Sequence, residues 1–180
     1  MRNRVLGKLF FDRPTLRVAR ELLGKYLVRR SASRRRPREI ARMITEVEAY
    51  VGPEDRASHA SRGQTPRNAV MFGPPGVWYV YFIYGMHWML NIVTERPGYP
   101  AAILIRGVEG ISGPGRVTKF FRVGKGLNGK PASRIFGLWI EDRSVRIPPR
   151  AIRRSPRIGV EYAGPWKSKL WRFCLWPPIT

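Results

Sequence analysis

Four of the chain's twelve acidic residues, Glu46, Glu48, Glu54 and Asp55, fall within ten positions of a 180-residue protein whose formal charge is +22. A carboxylate in so basic a chain stands where a polyanion docks. Holding it there is costly unless it does chemistry, such as taking a proton from water or stabilising a developing positive charge. The alternation from Ile40 to Tyr50 predicts a strand with Glu46, Glu48 and Tyr50 on one face and Thr45, Val47 and Ala49 on the other. Two glutamates on one face are not both buried cheaply, and spacing alone does not choose between them as the base. Gly52-Pro53-Glu54-Asp55 breaks the strand, and the polar connection Arg56 to Asn68 then carries His59, one of only two histidines. Arg106, at the end of a later strand, suits an ion pair with either glutamate.

These residues need a scaffold, and the apolar periodicity outlines one. Leu16, Val18, Ala19, Leu22 and Leu23 have helical spacing, so Pro14 to Leu23 is a helix that stops at Gly24. Lys25 to Arg30 reads as a strand. The Arg-rich segment from Arg29 to Arg42 reads as a solvated loop, either a phosphate contact or a basic surface without a specific role. Val77 to Ile83 and Trp88 to Thr94 form two strands joined by Tyr84-Gly85-Met86-His87, a hairpin with an aromatic at its tip. Further strands are expected at Ala101 to Val108, Phe136 to Glu141, Val145 to Ile147 and Ile158 to Tyr162. Gly113-Pro114-Gly115 opens a helix from Arg116 to Val123. The sum is an α+β protein: a single domain spanning residues 1–180, with a mixed, mostly antiparallel β-sheet, a protruding β-hairpin and a few packed helices.

Composition narrows the partner. With 43% hydrophobic residues, six Trp, seven Tyr and eight Phe, the chain has ample material for a packed core. Thirty-four Lys and Arg steer it toward polyphosphate, so nucleic acid leads. No apolar run reaches spanning length and Met-Arg-Asn-Arg does not begin a signal-peptide core, so a cytoplasmic protein that engages no membrane is expected, nucleoid-associated if prokaryotic. Single Cys174, between Phe173 and Leu175, reads as a buried structural thiol. There is no phosphate-binding Gly-x-x-x-x-Gly-Lys-Ser/Thr loop, no Gly-x-Gly-x-x-Gly and no Cys/His set at zinc spacing, so no metal and no cofactor is expected.

Motifs in a fixed order add a further reading. Ile44-Thr45-Glu46-Val47-Glu48-Ala49-Tyr50, Gly52-Pro53-Glu54-Asp55, Ala57-Ser58-His59, Gln64-Thr65-Pro66-Arg67-Asn68, Tyr79-Val80-Tyr81, Ile83-Tyr84-Gly85-Met86, Asn91 and Arg106 together resemble the alkyladenine (3-methyladenine) DNA glycosylase family. The likeness runs from Leu6-Gly7 to Trp166. It implies an enzyme that binds double-stranded DNA containing damaged purines, as a monomer, flips the lesion out of the stack and hydrolyses its N-glycosidic bond with water.

By that resemblance Glu48 is the general base, and Arg106 and the backbone carbonyl of Ile158 hold the attacking water. Tyr50, His59 and Tyr81 form the walls around the flipped base, where electron-rich rings favour cationic alkylpurines. Asn91 discriminates against the amino group of guanine, and Tyr84, with Met86, intercalates at the hairpin tip. One departure stands out. Between Val108-Glu109-Gly110 and Gly113-Pro114-Gly115 the family carries an insertion of roughly twenty residues, whereas Ile111-Ser112 is all that remains here. The alternative is a non-catalytic alkyl-lesion or general nucleic-acid-binding protein, which needs the basic surface and aromatics but no working Glu48.

Overall fold

Short alternating apolar runs make strands that must be joined edge to edge before they enclose a core. In the computed structural model, which describes residues 3–31 and 38–177, they form one sheet. The chain opens with β1 (Arg4–Val5), a one-turn helix α1 (Lys8–Phe11) and α2 (Thr15–Leu22). Next come β2 (Tyr26–Arg30), the long β3 (Glu39–Val51), and a hairpin of β4 (Trp78–Ile83) and β5 (His87–Val93). β6 (Ala101–Val108), β7 (Ile111–Ser112), α3 (Pro114–Phe120), β8 (Leu138–Asp142), β9 (Ile152–Ser155) and β10 (Arg172–Leu175) follow. The main path runs β1-β8-β2-β3-β6-β5-β4, with β10 also on β3. Every strand pairing among the described residues is antiparallel, and helices are few, so the architecture is α+β.

β3 organises the molecule. Its first half pairs with β2, while its second half pairs with β6 along one edge and β10 along the other. Val47 and Ala49 are fully buried in the main core with Val18, Ala19 and Leu22 of α2. Pleating sends Glu46, Glu48 and Tyr50 to the opposite face. Two register irregularities flank Glu46 against β6, the local twist that bulges use to re-aim side chains.

α2 begins at Thr15 and not Pro14, because proline serves as the flanking residue. α3 starts two residues earlier than expected, since Pro114 presets the first helical φ, and it stops at Phe120 ahead of a left-handed Arg122 (φ 50°). Part of the segment read as an Arg-rich loop is strand, at Arg29, Arg30 and Glu39 to Arg42; residues 32–37 lie outside the described residues.

Two expected strands do not form. Val145 and Ile147 pack against the core, but their backbone joins no ladder, because alternation reports burial and not a pairing partner. Ile158 to Tyr162 is a bend that leads into a 3-10 helix at Glu161: Gly159 (φ 74°) redirects the chain, and the Ile158 amide bonds to a side chain. β9 and β10, at four residues each, take the sheet edge instead. Cys174 is also not the buried thiol expected. Phe173 and Leu175 turn inward, so the pleat leaves Cys174 half-buried on the other face.

Candidate active site

Both glutamates of the β3 face are buried, and their surroundings differ. Glu46 Oε1 accepts from Arg106 Nε at 3.0 Å and from Arg172 Nε at 2.6 Å. Two guanidiniums offset its burial and occupy that oxygen. Glu48 is wholly buried, with Oε1 accepting from the Ile158 amide at 2.8 Å and Oε2 from the Tyr50 hydroxyl at 2.9 Å; Arg106 Nε lies 3.5 Å away. A carboxylate has about four acceptor sites, so these neighbours leave acceptor capacity unused. Burial raises the Glu48 carboxyl above the ordinary range, against the opposing pull of Arg106, the Ile158 amide and the Tyr50 hydroxyl.

Next to the groups that hold this carboxylate lies a cavity of about 300 Å³, at the small end for a ligand site. Tyr50, Arg106 and Ile158, which touch Glu48, belong to its lining, as do His59, Tyr81 and Asn91. The His59 and Tyr81 rings meet edge-on with centroids 4.6 Å apart. Tyr79, buried beneath, joins His59 Nδ1 through its hydroxyl at 2.9 Å. Burial and the nearby Arg67 push the His59 imidazole below its usual value. Burial lifts Tyr79 to about 12 and also raises Tyr81 and Tyr50, so the phenols stay protonated at neutral pH. Asn91 is buried on β5 and donates to the Tyr79 carbonyl at 3.1 Å.

The hairpin carries Tyr84 at the cavity's rim. Tyr84 (φ 50°) and Gly85 (φ 64°) both adopt left-handed backbone, and the Met86 amide closes the turn on the Ile83 carbonyl at 3.1 Å. A left-handed tyrosine costs on the order of 1–3 kcal/mol, which the flanking ladder must sustain. The result is an apolar prong: Tyr84 is 85% and Met86 69% exposed. The base of the prong rests on α3, where Thr118 Oγ1 donates to the Trp88 carbonyl at 2.9 Å. Gly115 sits so close to His87 that a Cβ there would lie 2.9 Å from the ring.

Arg106, Ile158, Tyr50, His59, Tyr81, Asn91 and Tyr84 thus line one cavity, Glu48 lies behind that lining in contact with Tyr50, Arg106 and Ile158, and Met86 stays outside it on the prong. At Ile158 the backbone amide contacts the Glu48 carboxylate. Both ion pairs open to Arg106 on sequence grounds are present, and Glu46 is the closer partner. Sequence reasoning left Tyr79, Arg157, Tyr162 and Arg172 without roles. Arg157 and Arg172 meet their carboxylates 102 and 126 residues away, a separation that leaves no local signal. Among the described residues no group of three His, Cys, Asp or Glu could hold a metal ion, and no helix is long and apolar enough to cross a membrane.

The Methylpurine-DNA glycosylase (MPG) family matches in two stretches, residues 9–112 and 109–176, which overlap at the β6–β7 turn. A provisionally named 3-methyladenine DNA glycosylase of Methanocella arvoryzae is 45% identical over 189 residues, covering 94% of this chain and 91% of the relative. Relatives with the same provisional name from Anaeromyxobacter dehalogenans and Sodalis glossinidius are 44% and 42% identical, covering 94% and 95% of this chain and 83% and 96% of their own. Agreement at that level, sustained across both stretches, has one explanation: the chain belongs to the methylpurine-DNA glycosylase family.

Proposed function

We propose that the protein is a monofunctional DNA glycosylase, acting as a monomer, that flips alkylated or deaminated purines from duplex DNA and hydrolyses their N-glycosidic bond. The class of lesion is 3-methyladenine, 7-methylguanine, hypoxanthine and ethenoadenine. The observation that carries the reading is Glu48: a fully buried carboxylate held directly behind the lining of an aromatic cavity by Tyr50, Ile158 and Arg106, in a chain of charge +22, with acceptor capacity left over. In this reading the bond between the sugar C1′ and the purine nitrogen breaks with its electron pair leaving on the base. Water adds to C1′ and its proton passes to Glu48. The same negative charge stabilises the oxocarbenium-like sugar.

A purine alkylated on N3 or N7 is cationic and departs neutral, so it needs no acid, whereas neutral hypoxanthine or ethenoadenine departs as an anion that takes up a proton from solvent. Phenols held protonated and an imidazole whose proton affinity is lowered are uncharged, electron-rich rings, which favours a cationic base by cation–π attraction. Asn91, fixed by the Tyr79 carbonyl, discriminates in this reading against the amino group of guanine. Tyr84 fills the gap left in the stack, and Met86 supports it from the same turn. Arg106 spans Glu46 and Glu48 and so orients both carboxylates. Incubating duplexes bearing each lesion with the protein and cleaving with hot alkali tests the assignment. Strand breaks at one or more lesions, and none at undamaged purines, are expected; binding without breaks assigns a lesion-binding protein instead.

A further inference from the structure

We propose that the buried Arg157–Asp55 pair is the positioning element of the site, holding by two routes the backbone amide and the tyrosine hydroxyl that grip Glu48. The inference rests on the reading of Glu48 as the base. Both side chains are wholly buried, and Arg157 Nη2 donates to Asp55 Oδ1 at 2.8 Å while Nη1 donates to Oδ2. Nη1 also bonds to the Ala49 carbonyl at 2.9 Å, one residue from Glu48 on β3.

The first route is covalent: Arg157 immediately precedes Ile158, so anchoring its guanidinium to β3 sets where the Ile158 amide points. The second is stacking, because the same guanidinium lies 4.8 Å from the Tyr50 ring centroid and 5.0 Å from that of Trp171. Asp55 completes the clip by accepting from the Val51 and Ala57 amides, each at 3.1 Å, which ties the turn after β3 to the same point. A planar fork is needed to satisfy this arrangement; an ammonium has the charge but not the geometry. The site keeps the fork although Arg157 Nε is buried with no acceptor among the described residues.

The charged and titratable groups facing Glu48 are Glu46 and Tyr50 of β3, Arg106 of β6, Tyr81 of β4 and Arg172 of the paired strand β10. Of these the clip touches Tyr50. Loosening it therefore weakens the amide and hydroxyl contacts while Arg106 and Glu46 stay in place. Both contacts favour the ionised carboxylate. Their loss makes a base that is harder to ionise and that recovers when the pH is raised.

The test measures single-turnover excision by Asp55→Asn and Arg157→Lys across the pH range, on a lesion duplex that the unmodified protein cleaves, with Glu48→Gln in parallel. Expected is a deficit of roughly 10- to 100-fold at mildly acid pH that narrows as pH rises, with lesion-duplex affinity and the circular dichroism spectrum retained. A deficit equal at every pH, unaltered rates, or loss of the native spectrum in both variants at low temperature overturns the proposal and makes the pair a folding element. Excision by Glu48→Gln instead overturns the base assignment, which keeps the two failures apart.

Discussion

Replacing Glu48 with Gln removes one charge and little else. The amide oxygen can still accept from the Ile158 amide in place of Oε1, which receives it at 2.8 Å, and the new NH2 faces the Tyr50 oxygen 2.9 Å away, which reverses its hydroxyl to accept. Cavity shape and DNA contacts are therefore preserved while the proton acceptor is lost. General-base removal typically slows a reaction by about 10²–10⁴, equivalent to roughly 3–5 kcal/mol of barrier at 1.36 kcal/mol per decade. Single-turnover excision on a lesion duplex, read after alkaline cleavage, gives the rate, and a fluorescence-anisotropy titration gives the affinity. The rate should collapse while affinity holds. The same variant carries a stability signature. Burial raises the folded-state pKa of Glu48 above its ordinary 4.5, so the stability linked to its protonated form is present below that value and is lost as pH rises through the folded-state value. Gln does not titrate, so the variant's melting temperature should gain on the parent's as pH rises from acid to neutral. Excision within tenfold of the parent, especially if Glu46→Gln is dead, refutes the reasoning and moves the base to Glu46.

Tyr84→Ala removes the exposed prong and leaves all 34 Lys and Arg in place. Titrations at several salt concentrations should show an unchanged salt slope, with preference for lesion over undamaged duplex reduced by about 1–3 kcal/mol of stacking; equal weakening on both duplexes contradicts the wedge. Because no lysine lies between Thr45 and His59 and water is the proposed nucleophile, borohydride added during turnover should trap no protein–DNA adduct. A trapped covalent species means an amine attacks.

The elements that could be read from the sequence are those whose signal is local. Alternation located β3 and assigned Glu46, Glu48 and Tyr50 to one face, because successive side chains of any strand point opposite ways. Helical spacing found α2, and Tyr84-Gly85 between aromatic strands marked the hairpin, since the turn depends on the residues within it. Charge pointed to a polyanion. What stayed hidden depends on partners distant in sequence. Val145 to Ile147 alternates like a strand but finds no open edge, whereas the short β9 and β10 find one. Spacing could not separate Glu46 from Glu48. The fold separates them by bringing Arg106 and Arg172 to the first and a backbone amide to the second, across 60, 126 and 110 residues. Asp55 was visible as a carboxylate in an acidic cluster, yet its buried bond to Arg157 exists only once the turn after β3 meets the segment before Ile158. A side chain's type is written in the chain, but its desolvation and its partners, which set what a carboxylate does, are properties of the packed interior.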